Sequence, residues 1–135
     1  MKIEEAIKLV EEKLPKKRYK HSLRVAETAK HLAEIHKGDV EKAELAGVLH
    51  DFSKYDDLGY MYQIVGQHNL DPDLLSYGSE ILHGPVCAVI MKEKYGITDE
   101  EVLAAIHYHT TGSCTNDKNR KIGFYCGLYW TKKRN

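Results

Sequence analysis

Apolar residues recur every three to four positions along most of this chain, the spacing of helices that bury one face. Ile3, Ala6, Ile7, Val10 and Leu14 make the first such face, and Pro15 predicts its end. From Lys16 to His36 the pattern resumes with Tyr19, Leu23, Ala26, Ala29, Leu32, Ala33 and Ile35. Gly38 suits a helix stop and Asp39 a cap for the next helix. That third helix, expected over Val40 to Phe52, is largely apolar and carries His50 and Asp51 at its end. Residues 55–79 are less regular and suggest two short helices, around 57–65 and 71–76. His83-Gly84-Pro85 is expected to open a helix, with proline in the first turn where its missing N–H costs little. Gly96 closes that helix, and Thr98-Asp99-Glu100-Glu101 reads as a capping box for a helix from Glu101 to His109. Thr110-Thr111-Gly112-Ser113 ends it, and no segment alternates as a strand does. The fold class is all-α.

Composition narrows the function. A chain of 135 residues is one domain with room for a core. Lys and Arg number 20 against 20 Asp and Glu, so no overall field draws in nucleic acid, and an anionic ligand must be held locally. No apolar run approaches the ~20 residues that span a bilayer, and Met1-Lys2-Ile3-Glu4-Glu5 lacks a signal-peptide apolar region, so no membrane is expected. Cys87, Cys114 and Cys126 form no CxxC and cannot all pair, which favours a cytoplasmic location.

The candidate chemistry lies in the histidines. An imidazole beside a carboxylate at His50–Asp51 offers the N and O ligands of a divalent metal, and a carboxylate can bridge two ions. His21, His83 and His109 each fall in a separate expected helix. Taken alone, His83 serves equally well as a helix-end hydrogen-bonding residue. His107 and His109 point ~200° apart on a helix, so only one can face a shared site. His31, His36 and His68 are assigned to solvent or local hydrogen bonds; Lys54, one turn past Asp51, has the reach for a phosphate, but taken alone it reads as an exposed lysine.

Four motifs in order carry a family resemblance: His21-x-x-Arg24-Val25, His50-Asp51-x-x-Lys54, Ile81-Leu82-His83-Gly84-Pro85 and Tyr108-His109-Thr110-Thr111-Gly112. Residues 1–112 resemble the HD-domain metal phosphohydrolases, and within them the YqeK-type branch of symmetrical diadenosine tetraphosphate hydrolases. The resemblance implies a compact helical bundle with two divalent ions; iron, manganese, magnesium, nickel and zinc all suit such ligands. It implies that His21, His50 and Asp51 ligate one ion with a more C-terminal aspartate, while Asp51 bridges to a second ion held by His83 and His109. Asp51 and Lys54 are the implied catalytic residues, and Arg24, Lys54, Thr110 and Thr111 the implied phosphate contacts. The implied reaction is attack of a metal-activated water on diadenosine tetraphosphate, giving two ADP. The implied partner is a small-molecule nucleotide, and a homodimer is the one protein assembly left open. General HD nucleotide phosphohydrolysis, and a catalytically impaired metal- or nucleotide-binding remnant, are the competing functions.

Residues 113–135 depart from that branch. The branch continues after Thr-Thr-Gly into a helix reading K-I-I-Y-I-A-D-Y-I-E, whose aspartate completes the first metal site. Here the chain reads Lys121-Ile-Gly-Phe-Tyr-Cys-Gly-Leu-Tyr-Trp130, with Gly127 at the aspartate's place. Codons permitted for Asn116 to Tyr129, read one nucleotide later, encode M-I-K-I-E-K-L-V-F-I-A-D-Y-I. The expectation is an out-of-frame, truncated tail that replaces the family's last helices and lacks one metal ligand.

Overall fold

The computed structural model describes residues 1–110. They form α1 (Ile3–Lys13), α2 (Lys16–Ile35), α3 (Val40–Leu49), α4 (Leu58–Gln67), α5 (Ser79–Glu93) and α6 (Glu100–Tyr108), with a 3-10 turn at Pro72–Ser76. Among the described residues there is no strand, and the fold is all-α. Thr111 and the tail 113–135, with its altered ligand position, lie outside the described residues.

Helix α3 occupies the middle: α1, α2 and α6 pack on it, and α5 bridges α4 and α6. The α2–α3 contact is built on small side chains, with Ala26, Ala29 and Ala33 of α2 and Ala43, Ala46 and Gly47 of α3 all buried. A Cβ on Gly47 would stand 2.6 Å from the Ala26 Cα, so the glycine sets how close the two backbones come. That approach brings the end of α3, where His50 and Asp51 emerge, against His21 on α2. Larger side chains fill the rest of the core, among them Val25, Leu49, Met61, Leu82, Met91 and Ile106.

Several local expectations are corrected. Gly38 does follow the end of α2: Lys37 before it is left-handed (φ 58), and the Gly38 N–H bonds the Ala33 carbonyl. Asp39 does cap α3, its carboxylate accepting from the Lys42 N–H. Helix α3 stops at Leu49, and His50 and Asp51 stand in the tight turns that follow, marked by Phe52 N–H to Leu49 carbonyl and Lys54 N–H to Asp51 carbonyl bonds. The cap of α6 is Asp99, which accepts from both Glu101 and Val102 N–H groups; Thr98 does not cap it.

The most consequential correction concerns Pro85. Helix α5 begins at Ser79, so Pro85 sits inside it rather than in its first turn. A proline there leaves the carbonyl four residues earlier without its helical donor. That carbonyl belongs to Ile81, and the Thr110 hydroxyl at the end of α6 donates to it at 2.6 Å. Gly84 makes the contact possible, because a Cβ there would collide with Thr110 Oγ1 and stand 2.8 Å from the His107 carbonyl oxygen. Proline, glycine and threonine together clamp α5 to α6.

Candidate metal centre

The clamp matters because each of the two helices carries a histidine to one point. His21, His50, Asp51, His83 and His109 converge in the core, and all five are buried. Their ligand atoms fall into two groups, His21–His50–Asp51 and Asp51–His83–His109, each with its atoms within 4.8 Å of one another. Asp51 belongs to both. Its Oδ1 lies 3.2 Å from His83 Nε2 and 3.6 Å from His109 Nε2, and its Oδ2 lies 3.3 Å from His50 Nε2.

Backbone carbonyls fix the rings. His50 Nδ1–H donates to the Gly47 carbonyl at 2.6 Å, His83 Nδ1–H to Ser79 at 2.8 Å, and His109 Nδ1–H to Ile106 at 2.6 Å. A carbonyl only accepts, so each Nδ1 carries a proton and each ring turns its Nε2 inward, where the neutral form offers a lone pair. This is the arrangement that orients metal-binding imidazoles. It also brings His83 Nε2 and His109 Nε2 to 3.1 Å of each other, both beside Asp51 Oδ1. His21 Nε2 is buried with no hydrogen-bond partner, a loss of roughly 1–3 kcal/mol for such a group, and His50 Nε2, with no well-aligned hydrogen bond, has the Asp51 carboxylate beside it. Nitrogen lone pairs gathered around a carboxylate call for a positive charge at their centre, and this N/O donor set fits a divalent ion.

The electrostatics agree. Burial lowers the His21 pKa to about 4, helped by Arg18 and His50 and opposed by Asp51, so the ring is neutral and able to ligate at pH 7. Burial alone would raise the Asp51 pKa, but His50 and the hydrogen-bonding rings of His109 and His83 pull it far below the usual carboxylate range. Asp51 is therefore an anion, and among the described residues Arg18 is its full counterion: Nε and Nη2 both reach Oδ2, at 2.9 and 2.8 Å. Cys87, next to the centre, is not a ligand. Burial raises its thiol to about 12, and Sγ donates to the Leu49 carbonyl.

All five expected ligands are thus brought together, and the choice between His107 and His109 falls to His109. His107 is half-buried in the groove between α5 and α6 with its ring 4.5 Å from that of Tyr108. The expected phosphate contacts lie farther out. Arg24 is exposed on α2, and the Lys54 ammonium stands 6.0 Å over the Tyr55 ring. Thr110 spends its hydroxyl proton on Ile81. Arg18 was missed, though its place three residues before His21 on one helix face was the available signal.

Comparisons with known proteins point the same way. Residues 18–126 match the HD domain family. Over 124 residues the chain is 69% identical to a symmetrical bis(5'-nucleosyl)-tetraphosphatase of Staphylococcus aureus, covering 92% of this chain and 64% of that protein. A Bacillus subtilis protein of the same description is 38% identical over 112 residues, covering 83% and 60%. The chain therefore spans less than two thirds of the length of these relatives. A crystal structure from Clostridium acetobutylicum, described as a predicted HD superfamily hydrolase involved in NAD metabolism, superposes with TM-score 0.81 at 34% identity, covering 96% of this chain and 68% of that one. No helix among the described residues is long and apolar enough to cross a membrane. A histidine and an aspartate adjacent in sequence, three further imidazoles folded around them, and a family match over most of the length lead to one conclusion: the chain belongs to the HD domain family.

Proposed function

We propose that this chain is a metal-dependent phosphoanhydride hydrolase that cleaves diadenosine tetraphosphate to two ADP, acting on the free dinucleotide in the cytoplasm. The observation that carries the proposal is the division of Asp51 between two clusters of imidazoles, one on each carboxylate oxygen. The substrate and the symmetrical cut come from the names of the relatives.

On this reading His21, His50 and Asp51 hold one divalent ion, and Asp51, His83 and His109 hold a second. Ions bound there would supply Lewis acidity toward phosphate oxygens and make a water nucleophilic near neutral pH. The chain's own residues do the rest. The three Nδ1–H bonds to backbone carbonyls hold the rings already aimed at the centre. The buried, ionised Asp51 couples the two groups through one rigid carboxylate. Arg24 and Lys54 contribute charge that draws the polyphosphate to the mouth of the site. Thr110 contributes by fixing the α6 end, and Thr111, the next residue, is a further phosphate donor.

The proposal extends to the division of the chain, with the HD domain over 1–112 and a tail over 113–135 standing in place of the family's aspartate-bearing helix. Gly127 at that aspartate's position favours a second reading, a metal- or nucleotide-binding protein with impaired turnover. One experiment separates the readings: the full chain is loaded with Mn2+ and offered diadenosine tetraphosphate or mononucleotides, and products are resolved by chromatography. ADP as the sole product supports the proposal. ATP plus AMP, or preferential attack on mononucleotides, contradicts it, and bound metal without hydrolysis favours the impaired protein.

A further inference from the structure

Arg18 has a position that the metal reading does not absorb. It lies in the first turn of α2, one turn before His21, and directs two N–H donors at a single oxygen, Asp51 Oδ2. Guanidinium usually meets a carboxylate as a fork across both oxygens. Here Oδ1 is taken up by His83 and His109, so Arg18 crowds onto the oxygen that belongs to the His21–His50 group. Its side chain is 24% exposed while that of Asp51 is wholly buried, so it reaches from the surface to the carboxylate.

A guanidinium always carries its charge and has no lone pair for a metal. An ion bound at Oδ2 and Arg18 on the same oxygen repel, and they compete for the same electron pairs. Arg18 displaced toward solvent is a two-pronged donor at the mouth of the site. Around it α2 starts with Lys16, Lys17 and Lys20, all exposed, and no acidic residue in its first turn. Cations there oppose the helix dipole, an arrangement that suits an anionic ligand better than helix stability.

We propose that Arg18 is a two-position cation: it holds Asp51 while no metal is bound, yields Oδ2 to the ion, and then binds a phosphate of the nucleotide. The proposal rests on the metal-dependent phosphohydrolase reading. It requires that Arg18 oppose metal binding and favour nucleotide binding, whereas a purely structural role would make its loss weaken both.

Calorimetry on the full chain tests this, first with Mn2+ alone and then with ADP at saturating Mn2+, comparing wild type, Arg18→Gln and Arg18→Lys. Arg18→Gln is expected to bind Mn2+ about tenfold more tightly and ADP about tenfold more weakly, the scale of one charge-assisted contact. Arg18→Lys, which keeps the charge and loses the fork, is expected to fall between. Both affinities falling together, or neither changing, overturns the role of Arg18 while leaving the metal reading intact. Wild type that takes up no Mn2+ overturns the metal reading and this inference with it. Should Arg18→Gln fail to fold, Arg18→Lys carries the same comparison, and unchanged ADP binding there overturns the proposal.

Discussion

His83 and His109 face each other through their Nε2 atoms at 3.1 Å, while the Nδ1–H of each ring donates to a backbone carbonyl on the other side. Two Nε2 atoms so close share a positive charge, a proton or a metal ion, and Asp51 Oδ1 lies beside both.

The relation yields a test of which histidine is the ligand. His109→Ala is expected to remove the ion of the Asp51–His83–His109 group and leave much of the other, whereas His107→Ala removes neither. Metal-to-protein ratio after Mn2+ loading and desalting, by elemental analysis, checks it. Equal losses from the two variants would mean that His109 has no special role.

The α5–α6 clamp makes a prediction about stability. Thr110→Val removes the donor to the Ile81 carbonyl, which Pro85 cannot replace, and is expected to cost roughly 1–3 kcal/mol. Thr110→Ser keeps the hydroxyl and is expected to cost less. Urea denaturation of the metal-free protein measures both. A Thr110→Val protein as stable as wild type would show that water satisfies the carbonyl instead.

Acid should destabilise the metal-free protein in a defined window. His21 faces Arg18 and Arg24 on its own helix and His50 and Asp51 across from it, and its pKa falls to about 4. Between pH 6.5 and 4 the unfolded chain binds a proton at His21 that the folded chain refuses, so stability falls as pH falls through that range. Asp51, with its depressed pKa, adds to the loss below the ordinary carboxylate range, in the same direction. Stability of His21→Gln is expected to vary less between pH 6.5 and 4 than that of wild type. Equal pH slopes for the two proteins would contradict the assignment.

Much of this was legible in the sequence, for physical reasons that differ by element. Helices α1 and α2 announce themselves through one-sided apolar spacing, and Pro15 separates them. The His50–Asp51 pair taken alone reads equally as a surface hydrogen bond; it is His21, His83 and His109, each in its own helix, that make it a candidate metal site. Arg18 was hidden in the run Lys16-Lys17-Arg18, which reads as a solvated basic face; its partner lies 33 residues away and only folding reveals it. Pro85 was misplaced because proline favours helix starts, and the hydroxyl that lets it sit mid-helix comes from Thr110. Asp99 displaced Thr98 as the cap by accepting from two N–H groups at once. The choice of His109 over His107 needed the helix's rotation, which spacing two apart leaves undecided.

The most direct measurement is the metal content of Asp51→Ala beside wild type, with circular dichroism to confirm equal helix content. Asp51 is common to both groups, so its loss is expected to empty both at once while the helices remain. Asp51→Ala that still retains one ion per chain would show two independent sites, and the shared carboxylate at the heart of the proposal would be wrong.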